Sequence, residues 1–306
     1  MLHTFLSVLP IFSLVMTGFV IKRLLPHTDL WQGIEKLVYY LFFPILLVLE
    51  VSKANFSDGG LLRALTAPFI ATLLISAIML VSKYFFKIEN RLFTSIFQGG
   101  ARYNSYVFIA LSQSLFGDAG IILAGVFMAY MIITVNILSI SIMNIYGSNH
   151  GNKKGLGSII IALIKNPLII GVFIGLILNA LGIQITGAVK QYLSYLGNTA
   201  TPLSLMSVGA GLIIMMDAKK MLGICYSIFL KLLIMPVITV ALLYLLGSSG
   251  LPANIAVLFS AMPAAGNAYI LSRQMGGDSE AMASIITWST LLSILTVPLV
   301  MGLFEF

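Results

Sequence analysis

The chain has 306 residues, of which 59% are hydrophobic and only 9% charged, and its mean hydropathy is +1.04. Such a chain has too little polar surface to face water on all sides, which excludes a soluble globular protein and indicates an integral membrane protein. The formal net charge is +7. Because lysine and arginine cluster on one side of the predicted membrane spans, this charge does not indicate nucleic-acid binding.

Apolar runs recur along almost the whole chain, and each approaches the roughly 20 residues that a helix needs to cross a hydrocarbon core. The first run is followed by Lys22 and Arg23 and has no small-residue cleavage site, so we interpret it as a retained span and not as a signal peptide. We predict an all-α polytopic membrane protein. Its transmembrane helices, about ten, are predicted near residues 2–22, 34–52, 61–83, 92–116, 119–146, 157–181, 188–215, 220–246, 252–274 and 280–304.

The two halves of the chain resemble each other. Prolines occur within the second and seventh spans, at Pro44 and Pro202, and Gly-Asp pairs end the fourth and ninth spans, at 117–118 and 277–278. Five spans per half is an odd number, so the second half enters the membrane in the opposite direction, which predicts two inverted five-helix repeats. The predicted division is a first repeat, a cytoplasmic linker and a second repeat, at 1–146, 147–156 and 157–306.

The placement of basic residues predicts the orientation in the membrane. With the N-terminus outside, the inner loops and helix ends hold most lysines and arginines, and the outer side keeps only Lys53, Arg63 and Lys190. We therefore predict a multi-pass protein of the cell membrane with both termini extracytoplasmic, in contact with the lipid bilayer and its anionic headgroups.

The ninth span contains AMPAAGNAYIL at 261–271, in which three residues disfavour a continuous helix. Pro263 removes a backbone donor, Gly266 removes the steric preference for helix, and Asn267 can bond to freed backbone groups. Unwound backbone survives in a membrane only where it is buried in protein or lines a wet cavity. This segment is therefore predicted to face a cavity.

The fourth span is also predicted to be broken, and at this break Arg102 lies within an otherwise apolar run. Two broken helices in corresponding positions predict a binding site where they cross. Free N–H groups at the helix N-termini favour anions there. The predicted substrate-binding residues are Gly99, Gly100, Arg102, Asn104, Pro263, Gly266 and Asn267.

Packing roles compete with these functional ones. Prolines kink packed membrane helices, and asparagines bond neighbouring helices. Arg102 could extend to the interface or neutralise a helix C-terminus. Lys231 lies well inside the eighth span, and we interpret it as structural or as extending to the membrane surface. The Gly171 and Gly175 pair predicts close helix packing.

Four segments of the chain resemble the auxin efflux carrier family of membrane transport proteins, whose bacterial branch includes carriers for malate and malonate. They are SAMPAAGNAYILSRQMGGDSEAMASIITWSTLLSILTVPL (260–299), ARYNSYVFIALSQSLFG (101–117), KNPLIIGVFIGLIL (165–178) and TPLSLMSVGAGL (201–212). Two positions depart from the family pattern. Tyr103 stands between Arg102 and Asn104, where the family has glycine, and Leu111 stands where it commonly has proline, which puts the shape of the first break in doubt.

The resemblance implies a fold of the antiporter and bile-acid-symporter type, with crossed broken helices that hold substrate between a scaffold and a transport domain. It also implies alternating access and a homodimer. The function we expect is that of a secondary active or facilitative efflux carrier for small organic anions, such as dicarboxylates or auxin-like carboxylic acids. A sodium- or proton-coupled symporter of the bile-acid type is the alternative.

An enzyme is not expected. The three histidines, His3, His27 and His150, fall near predicted span ends or in loops, so none is available for a buried triad or metal cluster. The single cysteine, Cys225, excludes an intrachain disulfide. We expect no cofactor and no metal. Carboxylates also fall at predicted span ends, which argues against proton antiport and leaves proton cotransport through a substrate carboxyl open.

Overall fold

The computed structural model describes residues 2–53, 60–148, 157, 161, 164–214 and 217–304, and every regular element in these ranges is helical, as predicted. The predicted linker at 147–156 lies outside them apart from its first two residues. The helices are α1 (Leu2–Leu24), α2 (Thr28–Leu37), α3 (Phe43–Val51), α4 (Leu61–Phe86), α5 (Asn90–Ala101), α6 (Ser105–Tyr146), α7 (Pro167–Ala180), α8 (Gly187–Ala210), α9 (Met221–Phe229), α10 (Met235–Leu245), α11 (Gly250–Ser260), α12 (Asn267–Met275) and α13 (Ser279–Leu303).

Several helical segments are long and apolar enough to cross a bilayer, which supports the prediction of a polytopic membrane protein. Within the described ranges, five segments meet this description by length and composition: Phe5–Leu24, Leu61–Phe86, Asn90–Tyr146, Met221–Leu245 and Ser279–Leu303. Two shorter apolar helices, α7 and α11, accompany them. The arrangement of ten spans in two inverted repeats stays a prediction.

The 42-residue helix α6 is two helices joined by a sharp reversal at Gly117. Gly117 has φ 63° and ψ −149°, a left-handed conformation that glycine adopts without steric penalty. The backbone of Gly120 then lies against the Ser112 carbonyl, which is possible only because the chain turns back on itself. The reversal therefore lies at the boundary that the sequence predicts between the fourth and fifth spans.

Two prolines produce wide helical turns. Pro44 and Pro236 each lie at the start of an α-helix, directly after a π-turn at Val38–Phe42 and at Leu230–Ile234. Because proline has no N–H and its ring clashes with the preceding turn, the helix widens in front of it. Pro202, by contrast, lies inside the continuous helix α8. The first π-turn links α2 to α3, and the second links α9 to α10.

The helices pack in two groups. The first consists of α1, α2, α3, α7 and α8, and the second of α4, α5, α6 and α9–α13. Within the first group, a Cβ atom on Gly171 would lie 2.8 Å from the Pro44 carbonyl oxygen, and one on Gly175 would lie 2.8 Å from Val51 Cβ. These glycines let α7 approach α3 closely, so the packing interpretation of the pair is confirmed.

At one end of the second group, ion pairs tie the start of α9 to the start of α13. Lys220 Nζ lies 2.9 Å from Asp278 Oδ2 and 3.4 Å from Glu280 Oε2. The hydrogen bond to Asp278 raises the pKa of Lys220. Asp278 also accepts a hydrogen bond from the Ala281 N–H at 3.0 Å and so caps α13.

We predict that Gly209→Ala destabilises the contact between α1 and α8. A Cβ atom at this position would lie 2.7 Å from the Val15 carbonyl carbon and 2.9 Å from the Phe19 nitrogen, and these backbone atoms cannot move independently of α1. Overpacking of this kind costs about 1–3 kcal/mol. Thermal unfolding of the purified protein in detergent is the measurement, and a lowered Tm is expected.

Gly33→Ala is the matched control, because Gly33 is helical and has no atom within 4 Å of its Cβ position. It should leave the Tm unchanged or raise it slightly, since alanine favours helix over glycine by about 1 kcal/mol. Equal Tm values for the two variants would contradict the close approach of α1 and α8.

Candidate functional site

The first helix break comprises three residues, 102–104, between α5 and α6. Arg102 ends α5 with extended backbone, φ −85° and ψ 156°, and Asn104 begins α6 with φ −81° and ψ 103°. The Asn104 side-chain oxygen accepts hydrogen bonds from the N–H groups of Tyr106 and Val107, at 3.1 and 3.2 Å. Asn104 therefore caps the helix that follows the break.

The second break, at 261–266, lies between α11 and α12 and meets the first. The Asn104 N–H donates a hydrogen bond of 2.9 Å to the Pro263 carbonyl, so the two breaks are joined through their main chains. The Ala264 N–H donates to Ser289 Oγ on α13 at 3.2 Å. Both segments are thus interrupted helices that contact each other at a crossing.

Arg102 lies at this crossing and is only 7% exposed. Its Nη2 donates a hydrogen bond of 3.2 Å to the Asn267 side-chain oxygen, which connects the two breaks a second time. The buried Nε and Nη1 form no hydrogen bond with any described residue. A guanidinium presents planar donors that match a carboxylate, so Arg102 retains donors for an acidic ligand.

The residues around Arg102 differ in their exposure and in their hydrogen bonding. Asn104 Nδ2 is buried, and no described residue accepts a hydrogen bond from it. Gly266 and Asn267, in contrast, are exposed, and no atom lies within 4 Å of the Cβ position of Gly266. The crossing is therefore accessible at Gly266 and Asn267, with the guanidinium of Arg102 beneath Asn267.

The two helix N-termini at the crossing differ. We expected free N–H groups at both, but Asn104 caps α6 with its own side chain, so the expectation is wrong there. Helix α12 begins without a side-chain cap. An uncapped N-terminus carries partial positive charge and favours an anion, so α12 is the helix end that matches the prediction.

Gly99 and Gly100 do not belong to the break, since both lie in the last turn of α5. A Cβ atom on Gly99 would lie 2.6 Å from Ile285 Cγ2, and one on Gly100 would lie 2.7 Å from Met79 Sδ. These glycines let α13 and α4 approach α5, which is a packing role. The break begins at Arg102, after both glycines, because the helix persists where neighbouring helices pack against it. Substrate contact by the two glycines stays a prediction.

Aromatic side chains surround the crossing. Tyr103 points away from the accessible side, with its ring centroid 4.3 Å from that of Phe259, and Phe108 and Phe127 extend this aromatic cluster. The Tyr106 ring stacks on Phe43 of the first helix group, with 5.0 Å between centroids and 3° between planes. The crossing therefore lies at the boundary between the two groups.

The hydroxyl of Ser289 on α13 supports the second break, and other buried polar side chains bond to neighbouring segments; sequence reasoning missed them. Ser289 accepts from the Ala264 N–H, and Thr287 Oγ1 accepts from the Ile213 N–H at 2.9 Å. On α5, Gln98 Nε2 donates to Ser272 Oγ on α12 at 2.9 Å. The run SIITWSTLLS within an apolar span was the signal for the α13 residues, because buried hydroxyls require partners.

Lys231 corrects a second expectation. It was interpreted as structural or as extending to the membrane surface, but its side chain is completely buried in the second π-turn, so the surface interpretation is wrong.

Among the described residues, no three His, Cys, Asp or Glu side chains come together as metal ligands.

Comparison with known proteins identifies the fold's family. The model of the family described as "Membrane transport protein" matches residues 3–301. A protein of Rhizobium meliloti (strain 1021), named "Putative malonate transporter", is 24% identical over 307 residues, covering 95% of this chain and 92% of the relative. A protein of Methanocaldococcus jannaschii, named an uncharacterized transporter, is 25% identical over 283 residues and covers 87% of each chain.

The family match covers nearly the whole chain, including both helix breaks and the hydroxyl-rich helix α13. The resemblance seen in the sequence is thereby confirmed, and both relatives are named as transporters. The chain belongs to the membrane transport protein family, the family of the auxin efflux carriers.

Proposed function

We propose that this protein is a secondary active or facilitative carrier for small organic anions, dicarboxylates such as malonate first among them. Substrate binds where the two helix breaks cross and reaches either side of the membrane by alternating access. The observation that carries the proposal is a buried arginine at the junction of two interrupted helices, with Nε and Nη1 free of described partners. An intramembrane cation of this kind indicates a substrate or ion pathway.

The geometry suits a dicarboxylate with two distinct contacts. One carboxylate binds the free nitrogen atoms of Arg102, and the unpaired Asn104 Nδ2 donates to the same group. The other carboxylate lies toward the accessible side, at the uncapped N-terminus of α12. Asn267 lies between these positions, because its side chain bonds to Arg102 and its backbone begins α12.

Alternating access requires two bodies that move against each other, and the two helix groups are the candidates. We propose that the first group is the scaffold and the second, which contains both breaks, is the transport domain. The stacked rings of Phe43 and Tyr106 lie between them, beside the site. Two inverted five-helix repeats, extracytoplasmic termini in the cell membrane and a homodimer complete the proposal.

Uptake of radiolabelled malonate into proteoliposomes tests the proposal directly. The carrier proposal expects saturable uptake that is competed by other small dicarboxylates and is unchanged when sodium is replaced by potassium. The alternative is a sodium- or proton-coupled symporter of the bile-acid type, and its sodium-coupled form expects uptake to disappear without sodium. Absence of uptake of every mono- and dicarboxylate tested would contradict the organic-anion proposal.

We predict that Arg102→Ala lowers malonate uptake at subsaturating concentration by about 30-fold or more, because truncating a buried charge partner costs at least about 2 kcal/mol. Arg102→Lys restores only part of the loss, since an ammonium lacks the planar pair of donors. Arg63→Ala is the matched control, because Arg63 is an exposed arginine on α4. Uptake that is equally lowered by both alanine variants would remove Arg102 from the site.

Asn104→Asp separates the capping role from the binding role. An aspartate caps a helix as well as an asparagine, so the protein should still fold, as judged by size-exclusion profile and thermal unfolding. Its carboxylate neutralises Arg102 and removes the Nδ2 donor, so we expect malonate uptake to fall at least about tenfold, or about 1.4 kcal/mol. Full uptake by this variant would show that Asn104 only caps α6.

A further inference from the structure

Lys231 is a completely buried lysine in the same helix group as the proposed site. Its Nζ donates to Met235 Sδ at 3.1 Å and lies 5.9 Å from the ring centroid of Phe259. Both are weak partners for a charged group, because a thioether is a weak acceptor and an aromatic ring offers only its quadrupole. The side chain therefore has no strong partner among the described residues.

No carboxylate of the described residues forms an ion pair with this amine. The elements packed against its π-turn are α5, α9, α10 and α13, and Phe259 belongs to α11, which carries no titratable side chain. Glu280, the acidic residue of α13, pairs with Lys220 instead. The other titratable groups of these helices are Arg91, Cys225, Tyr226 and Tyr244, whereas the hydrogen bond of Nζ goes to Met235 Sδ.

Such a position disfavours a permanent ammonium. An isolated charge in a medium of low dielectric loses its hydration, and an amine responds by giving up its proton. A methionine or leucine would fill the same volume without this penalty. A lysine here is therefore explained better by a change of protonation state than by packing.

The aromatic cluster connects Lys231 to the proposed anion site. The Phe259 ring lies 5.9 Å from Nζ and also contacts Tyr103, with 4.3 Å between the two ring centroids. Tyr103 is the residue between Arg102 and Asn104. The two rings that connect Lys231 to the segment of Arg102 are both buried, and charges attract more strongly across a buried region of low dielectric than across water.

We infer that Lys231 is a proton-binding site of the transport domain, filled when the substrate anion is bound and empty when it is not. On substrate binding, the neutral amine takes a proton from water on the side from which the anion arrives, and R–NH2 becomes R–NH3⁺. When the anion leaves, the ammonium returns this proton to water on the opposite side. The bound anion and the bound proton stabilise each other reciprocally, so the carrier is an anion–proton symporter. This inference rests on the proposed function.

A stability measurement tests the proton site without any substrate. The substrate-free protein holds Lys231 neutral, whereas the unfolded chain holds it charged below the ordinary pKa of lysine, so the unfolded state binds more protons and wild-type stability rises with pH. Relative to Lys231→Met, the Tm of the wild type should rise by about 5 °C between pH 6 and pH 9. A difference in Tm that does not change with pH overturns the proposal.

Lys190→Met is the control for this measurement, because Lys190 is an exposed lysine on α8. Its Tm should follow the wild type at every pH. If Lys190→Met shows the same pH-dependent difference as Lys231→Met, the effect comes from net charge and the assignment to Lys231 is wrong.

Transport of radiolabelled malonate tests the coupling. An inward proton gradient should raise the initial uptake rate of the wild type and of Lys190→Met by about 5-fold or more. Lys231→Met should lose this stimulation, so that whatever uptake it retains is the same with and without the gradient. Protonation of malonate itself affects all three proteins equally. Undiminished stimulation of Lys231→Met overturns the coupling, whereas absence of uptake by the wild type overturns the substrate class and leaves the stability result to decide the proton site.

Discussion

The arrangement of the site depends on one backbone hydrogen bond, from the Asn104 N–H to the Pro263 carbonyl. In a bilayer an unpaired backbone group costs several kcal/mol, so an interrupted helix is stable only if other groups replace its lost bonds. Here each break supplies a partner to the other, and Ser289 supplies one more. Each break is thus stable only in the presence of the other, and their separation, which sets the width of the site, is fixed by main-chain geometry.

The two breaks were not equally predictable from the sequence. The second contains its own cause, because Pro263 lacks an N–H and Gly266 does not favour helix. The first has no proline, and the two glycines that suggested a break are helical. Its interruption at Arg102–Asn104 is stabilised by a local cap and by the other break, which lies about 160 residues later in the chain. The cap can be read from the sequence, but the long-range bond cannot.

Local sequence also fails to predict the effect of the prolines and the burial of Lys231. Pro44 and Pro236 follow π-turns, whereas Pro202 sits in a regular helix, and nothing in the local sequence separates the three. Lys231 lies on a helix that is apolar all round, so periodicity cannot say whether its side chain faces lipid, water or protein. The helical class follows from composition and hydropathy alone, while burial depends on which helices become neighbours.

The two intramembrane cations of the second helix group have different chemistry, and their positions suit it. Arg102 stays protonated at any physiological pH and lies next to the accessible residues Gly266 and Asn267, where an anion can neutralise it. Lys231 can lose its proton, and its side chain is completely buried. With two permanent charges, the empty transport domain would have to move both through the low-dielectric part of the membrane. With a neutral Lys231, the empty transport domain moves only the charge of Arg102. The loaded domain also carries the charge of protonated Lys231, which the substrate anion balances.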